Sequence, residues 1–328
     1  MNQPLLSVKD LGVGFETDEG MLDAVRGVSF DVMPGQTIGI VGESGSGKSV
    51  TNLAMMGLIP MPPGKITSGQ AMFAGNDLLT MSQDELSKIR GRRIAMIFQD
   101  PMTALNPFLT VEDQLTEVTR LHLGYSRRQA KEHAIEMLTQ VGISAPEKRL
   151  YDYPHQFSGG MRQRVMIAIA LSCNPEILIA DEPTTALDVT IQAQILDLLK
   201  KLQREHNTAI IMITHDLGVV ANICHEVLVM YAGRIVEKAS AEALFATPRH
   251  PYTEGLMNSI PRWDQHGSEL LKAIEGQPPH LAELPAGCAF HPRCPYKMDR
   301  CVANDPRLEP IPSNQDREKA CFADLSSK

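Results

Sequence analysis

The chain has 328 residues, of which 43% are hydrophobic, and its 31 basic residues stand against 39 acidic ones for a net charge of −8. The hydrophobic fraction can build a sizeable core, which excludes disorder for most of the chain, and the negative charge argues against a nucleic-acid partner held by bulk charge. With no run of eighteen apolar residues to span a bilayer and no secretory leader, we expect a cytoplasmic chain.

Short apolar runs alternate with helical patterns from the start of the chain to about Arg234. The runs that predict strands are Leu5–Val8, Val28–Val32, Thr37–Val41, Ile94–Phe98, Ile177–Ala180, Ala209–Ile213 and Val227–Tyr231. Several are apolar nearly throughout, as strands buried on both faces of a parallel sheet are. Because helical patterns such as Lys48–Met56 and Gln192–Glu205 lie between them, the sequence predicts an α/β domain with a mainly parallel sheet.

Two segments depart from this alternation. The stretch of about 112–171 has helical patterning and no clear strand, and we interpret it as an inserted helical subdomain. After about Pro248 prolines recur and periodicity fades, which is typical of a segment that builds little core unaided. Within it, a small Cys/Pro-rich C-terminal extension at 261–328 holds four of the six cysteines, namely Cys288, Cys294, Cys301 and Cys321.

A phosphate-binding pattern follows the third predicted strand. Residues 42–49 read GESGSGKS, and this P-loop pattern lies between strand Thr37–Val41 and a predicted helix, as it must. The backbone N–H groups of the loop would point at phosphate oxygens, Lys48 would reach the β- and γ-phosphates, and Ser49 would offer its hydroxyl to Mg²⁺. The loop residues predicted to bind ATP, besides these two, are Gly42, Ser44, Gly45 and Gly47.

The predicted strand Ile177–Ala180 ends in two acidic residues, Asp181 and Glu182. In a P-loop protein the first carboxylate can hold Mg²⁺ through water, and the second is placed to polarise a water molecule for attack on the γ-phosphate. Two acids could also simply enter a solvated loop, but the P-loop favours the catalytic interpretation.

A motif at residues 158–164 (SGGMRQR) resembles the signature of ATP-binding cassette (ABC) ATPases. The resemblance extends to Gln99, to the loop Thr185–Asp188 and to His215, and it covers about residues 4–260. It implies a P-loop NTPase of the ABC type that binds and hydrolyses ATP with Mg²⁺.

The signature implies a second chain. Phe157 and Met161 replace the commonest leucine and glutamine, which leaves unchanged the residues that would contact phosphate, Ser158, Gly159 and Gly160. In the family this helix N-terminus closes over the nucleotide of a partner subunit, so that two ATP molecules are sandwiched between two ATPase chains, with Asp188 near their junction.

The resemblance also implies roles for three single residues. Phe15 would stack on adenine, although one phenylalanine on an early strand can also belong to the core. His215 would contact the γ-phosphate. Gln99 would ligate Mg²⁺ and report the state of the site to a membrane partner through the segment Asp100–Thr110.

Four segments are similar to the oligopeptide/dipeptide importer branch of the family: Phe98–Pro107, Asp181–Gln194, Arg249–Thr253 and Cys288–Pro295. Importers of this branch combine two different ATPase chains, two membrane permeases and an extracytoplasmic solute-binding protein. The resemblance thus implies a peripheral protein on the cytoplasmic face of the inner membrane, with an ABC ATPase domain at 4–260 and an extension at 261–328. The alternative is a soluble cassette ATPase of DNA repair or translation, without a permease.

The four cysteines of the extension are separated by 5, 6 and 19 residues. Four thiolates in a segment with little core indicate a metal staple, because metal binding can supply folding energy. Zinc ligands usually come in closer pairs, whereas iron–sulfur clusters accept variable spacing. The tail resembles that of peptide-importer ATPases, some of which hold a [4Fe-4S] cluster on four cysteines, so we expect this cluster, with zinc, free thiols or a disulfide as alternatives.

Overall fold

The structure is a computed structural model that describes residues 3–184, 189–259, 274–312 and 314–325. Its strands are β1 (Leu6–Thr17), β2 (Gly20–Val32), β3 (Thr37–Val41), β4 (Gly64–Phe73), β5 (Asn76–Asp77), β6 (Ile94–Ile97), β7 (Ile177–Asp181), β8 (Ala209–Ile213), β9 (Glu226–Tyr231), β10 (Arg234–Ser240), β11 (Glu309–Ile311) and β12 (Asn314–Lys319). Its α-helices are α1 (Lys48–Met55), α2 (Gln83–Ile89), α3 (Pro101–Ala104), α4 (Val111–Leu123), α5 (Arg127–Gln140), α6 (Pro146–Arg149), α7 (Gly159–Leu171), α8 (Val189–His206), α9 (Leu217–Ile223), α10 (Ala241–Ala246), α11 (Pro251–Asn258) and α12 (Asp299–Ala303).

The chain divides into two compact units. The first contains mainly Thr80–Ile213. Its strands β6, β7 and β8 pair in parallel, with Ile97 opposite Ala180 and Ala180 opposite Met212. All residues of β7 and β8 are buried, which explains their nearly uniform apolar composition. Helix α7 packs on β6 and on helices α4 and α5, so the helical segment shares a core with this sheet.

The second unit contains Pro4–Asp31, Ile38–Leu79 and the described residues from Thr214 onward. Strand β3 pairs in parallel with β9, and β10 and β12 continue from β9 by antiparallel pairing. Strand β12 is polar in all six residues, so its place in the sheet follows from its partner β10 and not from apolar patterning.

A separate antiparallel sheet in the second unit has the strand order β2-β1-β4-β5. Strand β1 pairs with β4 from Leu6 opposite Phe73 to Phe15 opposite Gly64. Strand β1 is buried at Leu6, Val8 and Leu11–Gly14, whereas β4 is exposed over the run Thr67–Gln70, so the middle of β4 meets solvent. Phe15 lies in this sheet, near the carboxyl end of β1.

From β3 onward, the five predicted parallel strands β3, β6, β7, β8 and β9 are present within one residue of the expected bounds. The antiparallel sheet was not predicted, although parts of β1 and β2 were, and the strands β4, β5, β10, β11 and β12 were not predicted either. None of the helices in the described ranges has the length and apolar character that crossing a bilayer requires.

Candidate functional site

The P-loop connects the buried end of β3 to the first turn of α1. Gly47, which precedes the helix, has φ of 100°. A Cβ at this position would lie 2.5 Å from the carbonyl oxygen of Ala24, so both the backbone angle and the space require glycine. The Gly233 N–H donates a 3.0 Å hydrogen bond to the Ser46 carbonyl, which fixes the outer side of the loop.

Lys48 points back into its own loop. Its ammonium donates hydrogen bonds to the carbonyl oxygens of Gly42 at 2.8 Å and Glu43 at 2.9 Å, and Lys48 is only 7% exposed. The lysine thus holds the loop curled around a buried positive charge. Ser49 follows in the first turn of α1 and is half-buried. The loop has the charge and the curvature that an anionic phosphate group requires.

Two of the three residues with predicted roles in hydrolysis, Gln99 and Glu182, contact each other. Gln99 lies two residues after β6, Glu182 directly follows β7, and the Gln99 Nε2 atom donates a 2.9 Å hydrogen bond to Glu182 Oε2. Glu182 has φ of 48°, a left-handed conformation that is uncommon for a non-glycine residue. Asp181, the last residue of β7, is buried. The side-chain amide and carboxylate groups therefore lie at the carboxyl ends of two neighbouring strands, β6 and β7.

The signature residues begin helix α7. Ser158 is the N-cap, and its hydroxyl accepts a 3.3 Å hydrogen bond from the Met161 N–H. Ser158 and Gly159 are exposed, whereas Phe157 is buried. The N-terminus of this thirteen-residue helix is thus accessible to a second molecule, while Phe157 anchors the preceding chain in the core.

Three other predicted residues have different environments. Phe15 is half-buried in β1, opposite Gly64. His215 is exposed and precedes Asp216, whose carboxylate caps α9 by accepting from the Gly218 N–H at 2.8 Å. Asp188, with the rest of the loop Thr185–Asp188, lies outside the described residues.

The P-loop also has contacts that sequence reasoning missed. The Tyr252 hydroxyl accepts a 2.8 Å hydrogen bond from the Glu43 N–H, and Arg293 forms an ion pair with the Glu43 carboxylate at 2.7 Å. Tyr252 belongs to a segment noted above only as a branch motif. Arg293 is separated from Glu43 by 250 positions, so no local pattern could have indicated the pair.

The four cysteines of the extension line one cavity together with His250, Phe290 and other residues. The pKa of Cys288 is raised to about 11, mainly by burial. The neighbouring thiols of Cys321, Cys301 and Cys294 raise it further. Within the described ranges, however, no group of three or more His, Cys, Asp or Glu side chains has the geometry to hold a metal ion as it stands. The thiols are gathered around a common space without being arranged as ligands.

Two family models match the chain. The model described as "ABC transporter" matches residues 25–185, and the model described as "Oligopeptide/dipeptide transporter, C-terminal region" matches residues 236–301. The first range includes the P-loop, Gln99, the signature and Glu182. The second includes Tyr252 and Arg293.

Curated relatives match over most of their length. The oligopeptide transport ATP-binding protein OppD of Salmonella typhimurium is 55% identical over 97% of this chain and 93% of its own length. The dipeptide transport ATP-binding protein DppD of Bacillus subtilis is 54% identical over 91% of this chain and 89% of its own.

The fold is similar to solved cassette structures. A dimeric post-hydrolysis structure of the ATP-binding cassette MJ0796 with ADP and phosphate has a TM-score of 0.65 and 29% identity, covering 72% of this chain and 98% of that one. The cbiO1 chain from Clostridium perfringens, part of an ABC transporter complex, has a TM-score of 0.62 and 27% identity, covering 75% and 92%. These likenesses confirm the predicted P-loop NTPase fold of the ABC type.

Proposed function

The chain belongs to the ABC ATPases, in the branch of oligopeptide and dipeptide transport ATP-binding proteins, and we propose that it energises uptake of peptides or related small solutes through partner permeases. It is an ATPase. The observation that supports import most directly is the identity of 55% over nearly the whole length of an oligopeptide transport protein, extension included. The alternative of a soluble cassette ATPase in DNA repair or translation has no such support among these relatives.

The P-loop is the proposed phosphate site, with Lys48 contacting the β- and γ-phosphates and Gly42, Ser44, Gly45 and Gly47 contributing backbone contacts. Lys48 already carries its charge inside the loop, and phosphate oxygens would take the place of the carbonyl groups that it now contacts. Phe15 is the proposed stacking partner of adenine, and His215 the proposed contact of the γ-phosphate.

Ser49, Asp181 and Gln99 are the proposed Mg²⁺ ligands, directly or through water. Hydroxyl, carboxylate and amide oxygens fit a hard cation of this kind. Because Gln99 uses its amide N–H in the bond to Glu182, its amide oxygen is left for the cation. Mg²⁺ supplies charge neutralisation at the phosphates.

Glu182 is the proposed general base. The hydrogen bond from Gln99 orients its carboxylate, and the remaining lone pairs can accept a proton from a water molecule aligned with the γ-phosphate. Gln99 then has two roles, since it orients the base through its N–H and contacts the cation through its oxygen.

A second ATPase chain is the proposed partner at the signature. The exposed N-terminus of α7, with Ser158, Gly159 and Gly160, would face the nucleotide that the other chain binds, and Asp188 would lie near the junction. Two permeases and an extracytoplasmic solute-binding protein complete the proposed assembly, which places this chain peripherally on the cytoplasmic face of the inner membrane.

The extension is the proposed site of a [4Fe-4S] cluster held by Cys288, Cys294, Cys301 and Cys321, with zinc as the alternative. The support is that all four thiols line one cavity, and four cysteine thiolates are the usual donors for such a cluster. Thiolates would form on binding, and coordination would lower the pKa of Cys288, Cys294 and Cys321, which burial raises.

The decisive experiment is purification from solubilised membranes with a tag on this chain. Import predicts that two permeases and a second ATPase copurify and that the reconstituted complex hydrolyses ATP faster when peptide-loaded binding protein is added. An untagged preparation and a Lys48→Ala chain serve as controls. Recovery of the chain alone from the soluble fraction, with unstimulated hydrolysis, would contradict the proposal.

A further inference from the structure

The extension contacts the P-loop through two hydrogen bonds between the Arg293 guanidinium and the Glu43 carboxylate. Arg293 Nη1 lies 2.7 Å from Glu43 Oε2, and Nη2 lies 3.0 Å from Glu43 Oε1. The side chain of Arg293 is 6% exposed and that of Glu43 is 27% exposed, so the pair is largely removed from water. Paired geometry and partial burial distinguish it from an ordinary surface salt bridge.

Arg293 is held in place by its own surroundings as well. Its Nε donates to the Glu275 carbonyl at 3.0 Å, and Nη1 donates to the Tyr231 hydroxyl at 3.3 Å. The guanidinium carbon also lies 5.9 Å from the ring centre of Tyr231 and 6.0 Å from that of Phe290, within range of cation–π attraction. The extension thus presents a preoriented positive charge to the loop.

Tyr252 forms a second contact with the same loop residue. Its hydroxyl accepts from the Glu43 N–H at 2.8 Å, and its ring packs against Tyr231 at 4.6 Å and Phe290 at 5.4 Å between ring centres. Burial raises the pKa of Tyr252, so its hydroxyl stays neutral, and one of the oxygen lone pairs accepts this bond. Both the backbone and the side chain of Glu43 are therefore fixed by residues beyond position 250.

The negative charge of Glu43 is the reason why its contact with Arg293 bears on phosphate binding. A P-loop attracts phosphate through backbone N–H groups and a lysine, and a carboxylate on the second residue of the loop opposes that attraction. The guanidinium of Arg293 neutralises this carboxylate and draws it toward the extension. Without the arginine, the loop would keep a partly buried negative charge next to its anion site.

We propose that Arg293 is a positioning residue of the nucleotide site, the counter-ion through which the C-terminal extension makes the P-loop of this chain competent for ATP. The inference rests on the proposed role of the P-loop as the ATP phosphate site. It assigns to the extension a direct part in nucleotide affinity, separate from any metal at the cysteines.

The test measures nucleotide binding to the purified full chain by titration calorimetry. Arg293→Gln should weaken ATP binding about tenfold, the order expected when a hydrogen-bonded ionic partner is lost. Adenosine binding should change little, because it carries no phosphate. Arg307→Gln, an exposed arginine of the same extension, is the matched control and should bind ATP as the unaltered chain does.

The combination with Glu43→Gln separates charge compensation from simple support. If Arg293 acts as a counter-ion, the double variant Arg293→Gln/Glu43→Gln should recover most of the lost ATP affinity, because the repelling carboxylate is gone. A double variant that binds ATP as weakly as Arg293→Gln, or more weakly, overturns the proposal. So does an Arg293→Gln chain with unchanged ATP affinity.

Folding and the underlying function are checked separately. If circular dichroism shows that Arg293→Gln does not fold, Glu43→Gln alone decides, because it removes the repelling carboxylate and leaves Arg293 in place. ATP affinity equal to or higher than that of the unaltered chain supports the proposal, and weaker ATP binding contradicts it. An unaltered chain that binds no ATP would overturn the proposed function together with this inference, whereas normal binding that is insensitive to Arg293 overturns the inference alone.

Discussion

The side-chain amide of Gln99 donates a 2.9 Å hydrogen bond to the carboxylate of Glu182, 83 positions later in the chain. The two residues follow β6 and β7, which pair in parallel with Ile97 opposite Ala180. A displacement of the segment after β6 would therefore change the orientation of the proposed general base. This contact gives Gln99 a physical route by which movement in the segment Asp100–Thr110 could reach the hydrolytic step.

Replacing Glu182 by Gln should reduce ATP hydrolysis in the assembled complex by about 10²- to 10⁴-fold, the range for loss of a general base. The substitution keeps an oxygen that can accept from Gln99, so ATP binding should persist and the ATP-bound closed state should accumulate. Turnover and trapped nucleotide are measured on the reconstituted complex. Hydrolysis at the rate of the unaltered complex would show that the partner's site carries the reaction.

Replacing Ser158 by Arg should inactivate the site formed with the second ATPase chain, because its bulk fills the exposed N-terminus of α7. ATP affinity of the isolated chain should stay within about twofold, since the effect of a helix end falls off within one turn. Ser158→Asn, which preserves the N-cap, controls for helix stability. Collapse of ATP binding in the isolated Ser158→Arg chain would mean that the serine serves its own chain.

Anaerobic purification should yield a brown chain with absorbance at about 400 nm and about four iron atoms, as thiolate-ligated clusters give. Cys294→Ser should remove the colour, whereas Cys173→Ser, outside the extension, should retain it. Iron, sulfide and zinc are measured together. A colourless preparation with one zinc per chain and no iron or sulfide would exclude the cluster and leave a metal staple.

Acid should destabilise the fold through His250. Burial lowers the pKa of His250 to about 3 from its usual 6.5, so between these values the unfolded chain binds a proton that the folded chain does not. The free energy of unfolding should thus fall as the pH falls below about 6.5, by up to about 1.4 kcal/mol per pH unit from this residue. His250→Asn keeps an acceptor for the Tyr252 N–H and should flatten that slope in urea titrations between pH 7 and 4. An unchanged slope would mean that groups other than His250 cause the loss of stability in acid.

Replacing Arg317 by Met should lower the free energy of unfolding by about 3–5 kcal/mol, because it leaves Glu237 buried without its ionic partner. Glu237 is 0% exposed, and its carboxylate accepts from Arg317 at 3.1 Å and from the Arg249 and His250 N–H groups at 2.8 Å each. Denaturant titration measures the change. The pair Arg317→Met/Glu237→Gln, which removes the charge, should be more stable than Arg317→Met alone, and the opposite order would contradict this account.

The parts of the site that the sequence predicted are those set by local patterns. The P-loop needs a buried strand, glycines at fixed positions and a following helix, and all three are adjacent in the sequence. The bond between Gln99 and Glu182 joins distant segments, so the sequence predicted both residues and not their contact. The contacts of Tyr252 and Arg293 with Glu43 were missed for the same reason.

Strands β12 and β4 were not predicted because they lack the apolar patterning that indicates a strand. Strand β12 reads NQDREK and has no apolar residue, yet it pairs with β10 and inserts Arg317 toward buried Glu237. Its conformation depends on the pairing edge and on one ionic contact, neither of which a window of sequence records. Strand β4 has four consecutive exposed residues, Thr67–Gln70, so no alternation of apolar and polar residues indicates a strand there.

The distance in sequence between Glu43 and Arg293 affects the order in which a newly made chain acquires its parts. Ribosomes add about 5–20 residues per second, so the loop emerges tens of seconds before the arginine 250 positions later. During that time the loop would keep its uncompensated carboxylate and hold nucleotide weakly. A nascent chain that lacks Arg293 would therefore consume little ATP, and full affinity would arrive only after Arg293 has been translated.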